Sequence, residues 1–259
     1  MTAAAPAPTF RTSRAVMGTV ASVHVYDPRP HAEIEGAVTA LFAELDRIED
    51  LFSTFRPHSQ ISRVNRGELV LAECDTEVLD VLDACTWLEH ESDGAFSAHR
   101  PDPPHLLDPA GFVKGWATER AAQRLHDAGL GSWYVSAGGD LCTAGAPPGL
   151  GAWTFGIADP ADPSRIVAEL DVPAGQAIAT SGTGVRGAHL WHGRHGDVQS
   201  PYVSLTVVGP SLTWADALAT AAFARGADAL AWLSHFPNHH ACAVTASGEV
   251  HANGALTAH

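Results

Sequence analysis

HAEIEGAVTALFAELDRIEDLF, residues 31–52, is the stretch that decides the fold class of this chain. Its apolar residues recur at alternating intervals of four and three positions, which is the spacing of an amphipathic α-helix. They are Ile34, Val38, Leu41, Leu45, Ile48 and Phe52. The segment just before this helix, residues 19–26, alternates like a half-buried strand. Helices and strands are therefore expected to share a core.

The rest of the chain divides into early helices and late strands. Helices are expected at 75–91, at about 114–128, and after Thr213, which would cap a fourth helix that Gly226 interrupts before a fifth. Residues 53–67 and 92–110 are expected to be loops. Segments typical of strands are 133–137, 153–158, 166–172, 177–180, 202–208 and 241–250. This order favours an α+β fold, with mixed sheets packed against helices, over alternating βαβ units.

The composition of the chain limits the kinds of partner that it can be expected to bind. The chain has 259 residues, 46% of them hydrophobic, and 15 Lys and Arg against 29 Asp and Glu, a formal net charge of -14. Such a charge argues against nucleic acid or an anionic membrane as the main partner. Four scattered cysteines do not suggest a disulfide framework, and no apolar run is long enough for a membrane anchor. We expect a cytoplasmic protein with a flexible leader over 1–16 and one domain of two packed lobes over 17–259.

ADALATA, residues 215–221, contains a candidate metal site. Asp216 and Thr220 are four positions apart in a segment of helical periodicity, so their oxygens would emerge on the same side of one turn. A carboxylate and a neutral oxygen suit Mg²⁺, which keeps few protein ligands and completes its shell with water and phosphate. A solvated helix face or a local hydrogen bond would give the same pattern.

Two glycine-containing turns are candidate ligand contacts. SAGGDL, residues 136–141, follows a strand and would expose the Gly138 and Gly139 amides to a phosphate, with Asp140 at the edge; a simple hairpin is the alternative. AIATSGTG, residues 177–184, offers hydroxyls and amides, or is a plain turn. Lys114 is expected at the start of a helix, where unpaired N–H groups favour an anion.

Three histidines are spaced by three in RGAHLWHGRHG, residues 186–196. His189, His192 and His195 could ligate Zn²⁺, although no cysteine or carboxylate pattern completes a closed site.

Taken in order, these segments resemble the FAD:protein FMN transferase family, also called the ApbE or thiamine-biosynthesis-lipoprotein family. The matching segments are Met17-Gly18-Thr19, Phe52 to Phe55 with Ser59 and Asn65, Gly94-Ala95-Phe96, Gly111 to Ala117, Ala137 to Leu141, Thr180-Ser181-Gly182 and ADALATA. The resemblance implies an ApbE-like (T-fold-like) architecture with the active site between two lobes. It also implies Mg²⁺-dependent transfer of FMN from FAD to a Thr or Ser hydroxyl of a partner flavoprotein, with release of AMP.

The resemblance also assigns site residues. Asp216, Thr220 and a backbone carbonyl near Val113 would hold Mg²⁺, and Asp216, Lys114 and His189 would be catalytic. Asp140 or Asp216 would accept the proton of the incoming hydroxyl. Phe55 would stack on the flavin and Met17 would line the ring site. The full set expected to contact FAD is Met17, Phe55, Ala95, Phe96, Ser97, Lys114, Trp116, Gly138, Gly139, Asp140, Thr180, Ser181, His189 and Leu190.

Some positions depart from the family pattern. The Asp of the family's G-x-F-Asp-Pro segment is Ser97 here, and the first residue of its N-x-G-G-D turn is Ser136. The family's H-I-x-D-P-R-T-G reads His189 to Gly196, without the acid, the proline or the threonine. Two other functions therefore stay open: an FAD carrier that does not transfer flavin, and a pyrophosphatase that gives FMN and AMP.

Overall fold

The computed structural model describes residues 6–159, 162, 164–183 and 191–253. Its strands are β1 (Phe10–Val16), β2 (Thr19–Val25), β3 (Trp133–Ala137), β4 (Asp140–Ala144), β5 (Trp153–Ala158), β6 (Ile166–Val172), β7 (Ala177–Gly182), β8 (Tyr202–Gly209), β9 (His240–Thr245) and β10 (Val250–Asn253). Its α-helices are α1 (His31–Phe52), α2 (Gln60–Asn65), α3 (Thr76–Glu91), α4 (Ala110–Asp127), α5 (Leu212–Arg225) and α6 (Ala229–Leu233). The predicted α+β class is confirmed.

One antiparallel sheet has the strand order β1-β2-β3-β4-β7-β8-β9-β10, and β5 pairs with β6 in a separate hairpin. Side chains of a strand alternate between the two faces, so the large sheet presents two surfaces that must be covered. Helices α1, α4 and α5 pack on one face. The β5–β6 hairpin covers part of the other, where Trp153 and Leu170 meet Leu141 and Ile178.

The six apolar residues that recur with helical spacing in residues 31–52 form the buried face of α1, as the sequence predicts. A carboxylate is buried with them. Glu44 accepts hydrogen bonds from Arg47 at 2.7 Å on its own helix and from Arg124 at 3.0 Å and Arg120 at 3.2 Å on α4. Chiefly through its hydrogen bond to Arg47, and against the effect of burial, the pKa of Glu44 falls to about 2. This ion cluster joins α1 to α4.

Three element boundaries differ from the sequence prediction. The leader expected over residues 1–16 is wrong for residues 10–16, because Phe10–Val16 pairs along its whole length with Thr19–Val25. Helix α4 begins at Ala110 rather than at Lys114, after Pro109. Lys114 is therefore in the second turn of α4 and not at its open N-terminus. The loop expected over 53–67 contains α2, whose N-cap Ser59 accepts a hydrogen bond from the Ser62 amide.

Further differences concern turns and caps. The strand expected over 241–250 is two strands, because Thr245 N–H bonds to the Glu249 carbonyl and Gly248 adopts a φ of 82° in a tight turn. The N-cap of α5 is Ser211, and Thr213 lies in the first turn. Gly226, with a φ of 75°, ends α5 as predicted. In the described part of the chain, no helix has both the length and the apolar character needed to span a bilayer.

Candidate active site

Helices α4 and α5 approach each other closely at Gly115. A Cβ atom at this position would lie 2.6 Å from the Leu212 carbonyl oxygen and 2.7 Å from Asp216 Cβ, so only glycine permits this approach. The Gly115 amide also donates a hydrogen bond of 2.8 Å to Asp216 Oδ2. The backbone of α4 therefore holds one oxygen of the α5 carboxylate directly.

Lys114 lies between two buried carboxylates. Its Nζ pairs with Asp140 Oδ2 and lies 3.1 Å from Asp216 Oδ1. Asp140 begins β4, and its other oxygen accepts a 2.8 Å hydrogen bond from the Thr180 amide on β7. The cluster thus joins α4, α5 and the central sheet. Of the sequence observations, only the family resemblance led us to expect these three residues in one site.

Charge in this cluster is not balanced, because one ammonium faces two carboxylates. Burial, and after it the nearby Asp140 carboxylate, raises the pKa of Asp216 above its ordinary value, although Lys114 acts in the opposite direction. Burial disfavours the Lys114 ammonium, but Asp216 and Asp140 outweigh this effect and raise the pKa of Lys114 above its ordinary value. The cluster can therefore accept a further positive charge.

Asp216 Oδ1 is an available ligand atom. It is buried and lies 3.1 Å from Lys114 Nζ in an ion pair, and among the described residues it has no hydrogen-bond partner. One turn further along α5, Thr220 Oγ1 lies 3.2 Å from Ser181 Oγ on β7. A Cβ at Gly111 would lie 3.2 Å from Thr220 Cγ2, so the first turn of α4 is also adjacent. Carboxylate, hydroxyl and backbone oxygens in this arrangement fit Mg²⁺.

The third predicted ligand fits less well. Val113 is buried within α4, where carbonyl groups normally accept a helical hydrogen bond. The Val113 ligand stays a prediction.

An open cavity of about 760 Å³ is linked to the cluster through Gly139, which lines the cavity and directly precedes Asp140; Lys114, Asp140 and Asp216 themselves do not line it. Met17 and Gly138-Gly139, which are far apart in sequence, both line it, as do Glu49 and Arg56. Gly138 and Gly139 have φ values of 61° and 99° and form the tight turn between β3 and β4, so the hairpin alternative for this segment is confirmed. The same turn places Asp140 next to Lys114. The Gly138 amide is already engaged, because it donates a 3.2 Å hydrogen bond to the Val20 carbonyl.

The two aromatic residues assigned to flavin have different surroundings. Phe55 is 94% exposed and directly precedes the cavity-lining Arg56. Its stacking on flavin stays a prediction. Trp116 packs against Phe52 of α1, with 5.4 Å between ring centroids, and under the Arg120 guanidinium. This packing does not support a direct contact between Trp116 and FAD.

Residues Ala95, Phe96 and Ser97 form a buried segment behind the α4–α5 contact. Phe96 approaches Gly111, and the Gly193 amide of the histidine-rich segment donates a 3.0 Å hydrogen bond to the Ala95 carbonyl. Ser97 Oγ donates to Glu89 at 3.2 Å. The family motif has an aspartate at the position of Ser97. In this chain the serine hydroxyl contacts a different carboxylate, that of Glu89.

The histidine-rich segment is described only in part. His189 and Leu190, assigned to FAD and to catalysis, lie outside the described residues. The rings of His192 and His195 are 4.5 Å apart, and burial together with His195 and nearby arginines lowers the pKa of His192. Within the described ranges, no group of three or more His, Cys, Asp or Glu residues is arranged around a metal position. The zinc alternative gains no support from them.

Sequence reasoning missed two groups. Arg56 lines the cavity and is held by Glu49 at 2.6 Å and by Asp50. Glu119 on α4 binds the first turn of α5. The sequence around Glu119 gives no sign of this role, because its hydrogen-bond partners lie more than 90 positions away along the chain.

Fold and site together define an α+β protein in which a half-buried lysine pairs with two buried carboxylates, one of them directly after a glycine turn that lines an open cavity. The model of the ApbE family matches residues 17–99 and 98–244. The chain belongs to the ApbE family.

Two relatives of this chain in sequence are both named FAD:protein FMN transferase. The chain is 30% identical over 159 residues to the FAD:protein FMN transferase of Vibrio cholerae serotype O1, a match covering 58% of this chain and 48% of the relative. This match spans about half the length of that relative. The chain is 25% identical to the FAD:protein FMN transferase of Treponema pallidum, over 95% of this chain and 87% of the relative.

Solved structures show the same fold. The flavin transferase ApbE from Vibrio cholerae superposes with a TM-score of 0.80 at 22% identity, over 96% of this chain and 97% of that chain. The ApbE protein from Thermotoga maritima gives a TM-score of 0.80 at 22% identity, over 93% and 96%. The predicted ApbE-like architecture is confirmed.

Proposed function

We propose that this protein is a Mg²⁺-dependent FAD:protein FMN transferase that attaches FMN to a Thr or Ser hydroxyl of a flavoprotein and releases AMP. The observation that carries the proposal is the cluster of Lys114, Asp140 and Asp216, in which Asp140 directly follows the Gly138-Gly139 turn that lines the cavity. The names of the curated relatives support the same activity.

Asp216 and Thr220 would hold Mg²⁺ together with a backbone carbonyl of α4 near Val113. The buried Asp216 Oδ1 without a hydrogen-bond partner and the excess of carboxylate over ammonium support this assignment. Bound there, the ion would neutralise the diphosphate of FAD and make its phosphorus more electrophilic.

The chain's own residues orient and activate the reactants. Lys114 would supply a fixed positive charge, and the Gly139 amide a donor, where charge develops on phosphate oxygens. The Gly138 amide would add a second donor only on leaving the Val20 carbonyl. The acceptor hydroxyl oxygen bonds to the phosphorus of the FMN half while the bond to the AMP oxygen breaks. The hydroxyl proton passes to a carboxylate oxygen of Asp140 or Asp216, and AMP leaves as the phosphate monoester. His189 is proposed as a further catalytic group on the strength of the family resemblance alone.

The experiment combines the protein with FAD, Mg²⁺ and a purified candidate acceptor that presents a Thr or Ser. Flavin fluorescence that stays on the acceptor band in a denaturing gel, with an equal amount of AMP, is the expected result. FMN and AMP free in solution would mean hydrolysis. Unchanged FAD bound to the protein would mean a carrier. Either of these two results contradicts transferase activity on that acceptor, and EDTA is the control for metal dependence.

A further inference from the structure

Glu119 of α4 binds the N-terminal turn of α5. Its carboxylate accepts hydrogen bonds from Ser211 Oγ at 2.8 Å, from the Leu212 amide at 3.2 Å and from the Thr213 amide at 3.1 Å, and also from Thr213 Oγ1. The first amides of a helix have no partner within the helix, and a negative charge at this end is favourable. Glu119 therefore caps α5 from a neighbouring helix.

The cap lies one helical turn from the active-site contact. Glu119 is four positions after Gly115 on α4, so both residues occupy the same face of that helix. Their partners on α5, Thr213 and Asp216, are also about one turn apart. Two attachment points separated by a turn on each helix fix both the sliding and the rotation of α5 against α4.

A carboxylate is needed in this position. All four of its hydrogen-bond partners are donors, and an ionised carboxylate offers only acceptor sites. A glutamine would replace one acceptor oxygen with an NH₂ group that faces donors. The N-cap Ser211 cannot take over, because its hydroxyl already accepts from the Trp214 amide while donating to Glu119.

We propose that Glu119 is a positioning residue of the active site, which by capping α5 sets Asp216 and Thr220 at the correct distance from Lys114. It does not touch the substrate in this account. The kinetic part of the proposal rests on the proposed transferase function. Its structural part does not, because it concerns the separation of 3.1 Å between Lys114 Nζ and Asp216 Oδ1.

The test compares Glu119→Gln with Glu44→Gln, which also removes a buried, hydrogen-bonded carboxylate from the α4 surroundings but at the α1 contact. At a temperature where both variants are folded, the Mg²⁺ concentration for half-maximal FAD turnover should rise about tenfold or more in Glu119→Gln and less than twofold in Glu44→Gln. Thr213→Val, which removes one donor to Glu119, should also raise the Mg²⁺ concentration for half-maximal turnover, but by less than Glu119→Gln does. Equal Mg²⁺ requirements in Glu119→Gln and wild type, with only a lower melting temperature, would overturn the proposal.

Crystal structures of wild type and Glu119→Gln supply the readout that does not depend on activity. We expect the distance between Lys114 Nζ and Asp216 Oδ1 to increase by about 1 Å or more in the variant, while it stays unchanged in Glu44→Gln. If wild type fails to convert FAD, the transferase proposal fails and this distance alone decides the role of Glu119. An unchanged distance would then refute that role.

Discussion

Lys114 Nζ lies 3.1 Å from Asp216 Oδ1, while the amide of the next residue, Gly115, holds the other oxygen of the same carboxylate. One residue pair of α4 thus engages both oxygens of Asp216, and Lys114 also pairs with Asp140. Two buried carboxylates against one ammonium leave a negative charge that a divalent cation would neutralise. This imbalance is the physical basis for placing a cation at Asp216.

Asp216→Asn should reduce the Mg²⁺-dependent turnover of FAD by about 100-fold or more, because the amide carries no charge and Thr220 alone binds the cation weakly. The measurement is AMP release at increasing Mg²⁺ concentration. Asp127→Asn, a change of an exposed aspartate on α4, is the matched control and should keep wild-type kinetics. Wild-type turnover in Asp216→Asn would exclude the proposed metal site.

Gly115→Ala should push α4 and α5 apart, because the added Cβ would lie 2.6 Å from the Leu212 carbonyl oxygen. We expect a loss of about 1–3 kcal/mol in the free energy of unfolding and at least a tenfold loss of turnover. Gly36→Ala is the matched control in α1, since its Cβ meets no atom within 4 Å. It should stabilise the protein by about 0.5–1 kcal/mol. Urea unfolding of both variants measures this, and an undisturbed Gly115→Ala variant would contradict the close packing.

Phe55→Ala should weaken FAD binding by about tenfold through lost stacking area and leave the melting temperature unchanged, because the side chain is 94% exposed. Fluorescence titration with FAD measures the dissociation constant. Leu150→Ala, which also shortens a partly exposed apolar side chain, should bind FAD like wild type. A dissociation constant that does not change on removing Phe55 would take this residue out of the site.

Glu44 should make folding stability depend on acid pH. Its pKa in the folded protein is about 2, below the ordinary value of 4.5, so the unfolded chain binds the proton more tightly. The stabilisation is complete above pH 4.5 and is lost as the pH falls towards 2. Because the arginine partners are partly exposed, we expect a contribution of about 1–2 kcal/mol. In urea unfolding, wild type should exceed Glu44→Gln by this amount at pH 7, and the difference should narrow below pH 4.5 and close only as the pH approaches 2. A gap that does not narrow with acid would contradict the assignment.

Periodicity predicted much of the fold, because α1 and strands such as β3 bury one continuous face that the sequence displays. It missed β4, since Leu141, Cys142 and Thr143 are all buried and follow a glycine turn that gives no alternation. The spacing of Asp216 and Thr220 indicated one helix side, as observed.

The pairing of Lys114 with Asp140 and Asp216 could not be predicted from spacing. These contacts cross 26 positions in one case and 102 in the other, and they depend on how α4, α5 and β4 pack. Only the resemblance to the ApbE family placed these residues together. The cap formed by Glu119 was missed because neither local pattern nor motif marks it.

Calorimetric titration with FAD tests the central claim most directly, which is that a divalent cation on Asp216 and Thr220 binds the diphosphate of FAD. Wild type should bind FAD at least tenfold more tightly in Mg²⁺ than in EDTA, and Asp216→Asn should bind it equally weakly in both. Equal affinity of wild type for FAD with and without Mg²⁺, or no binding in either buffer, would contradict the account.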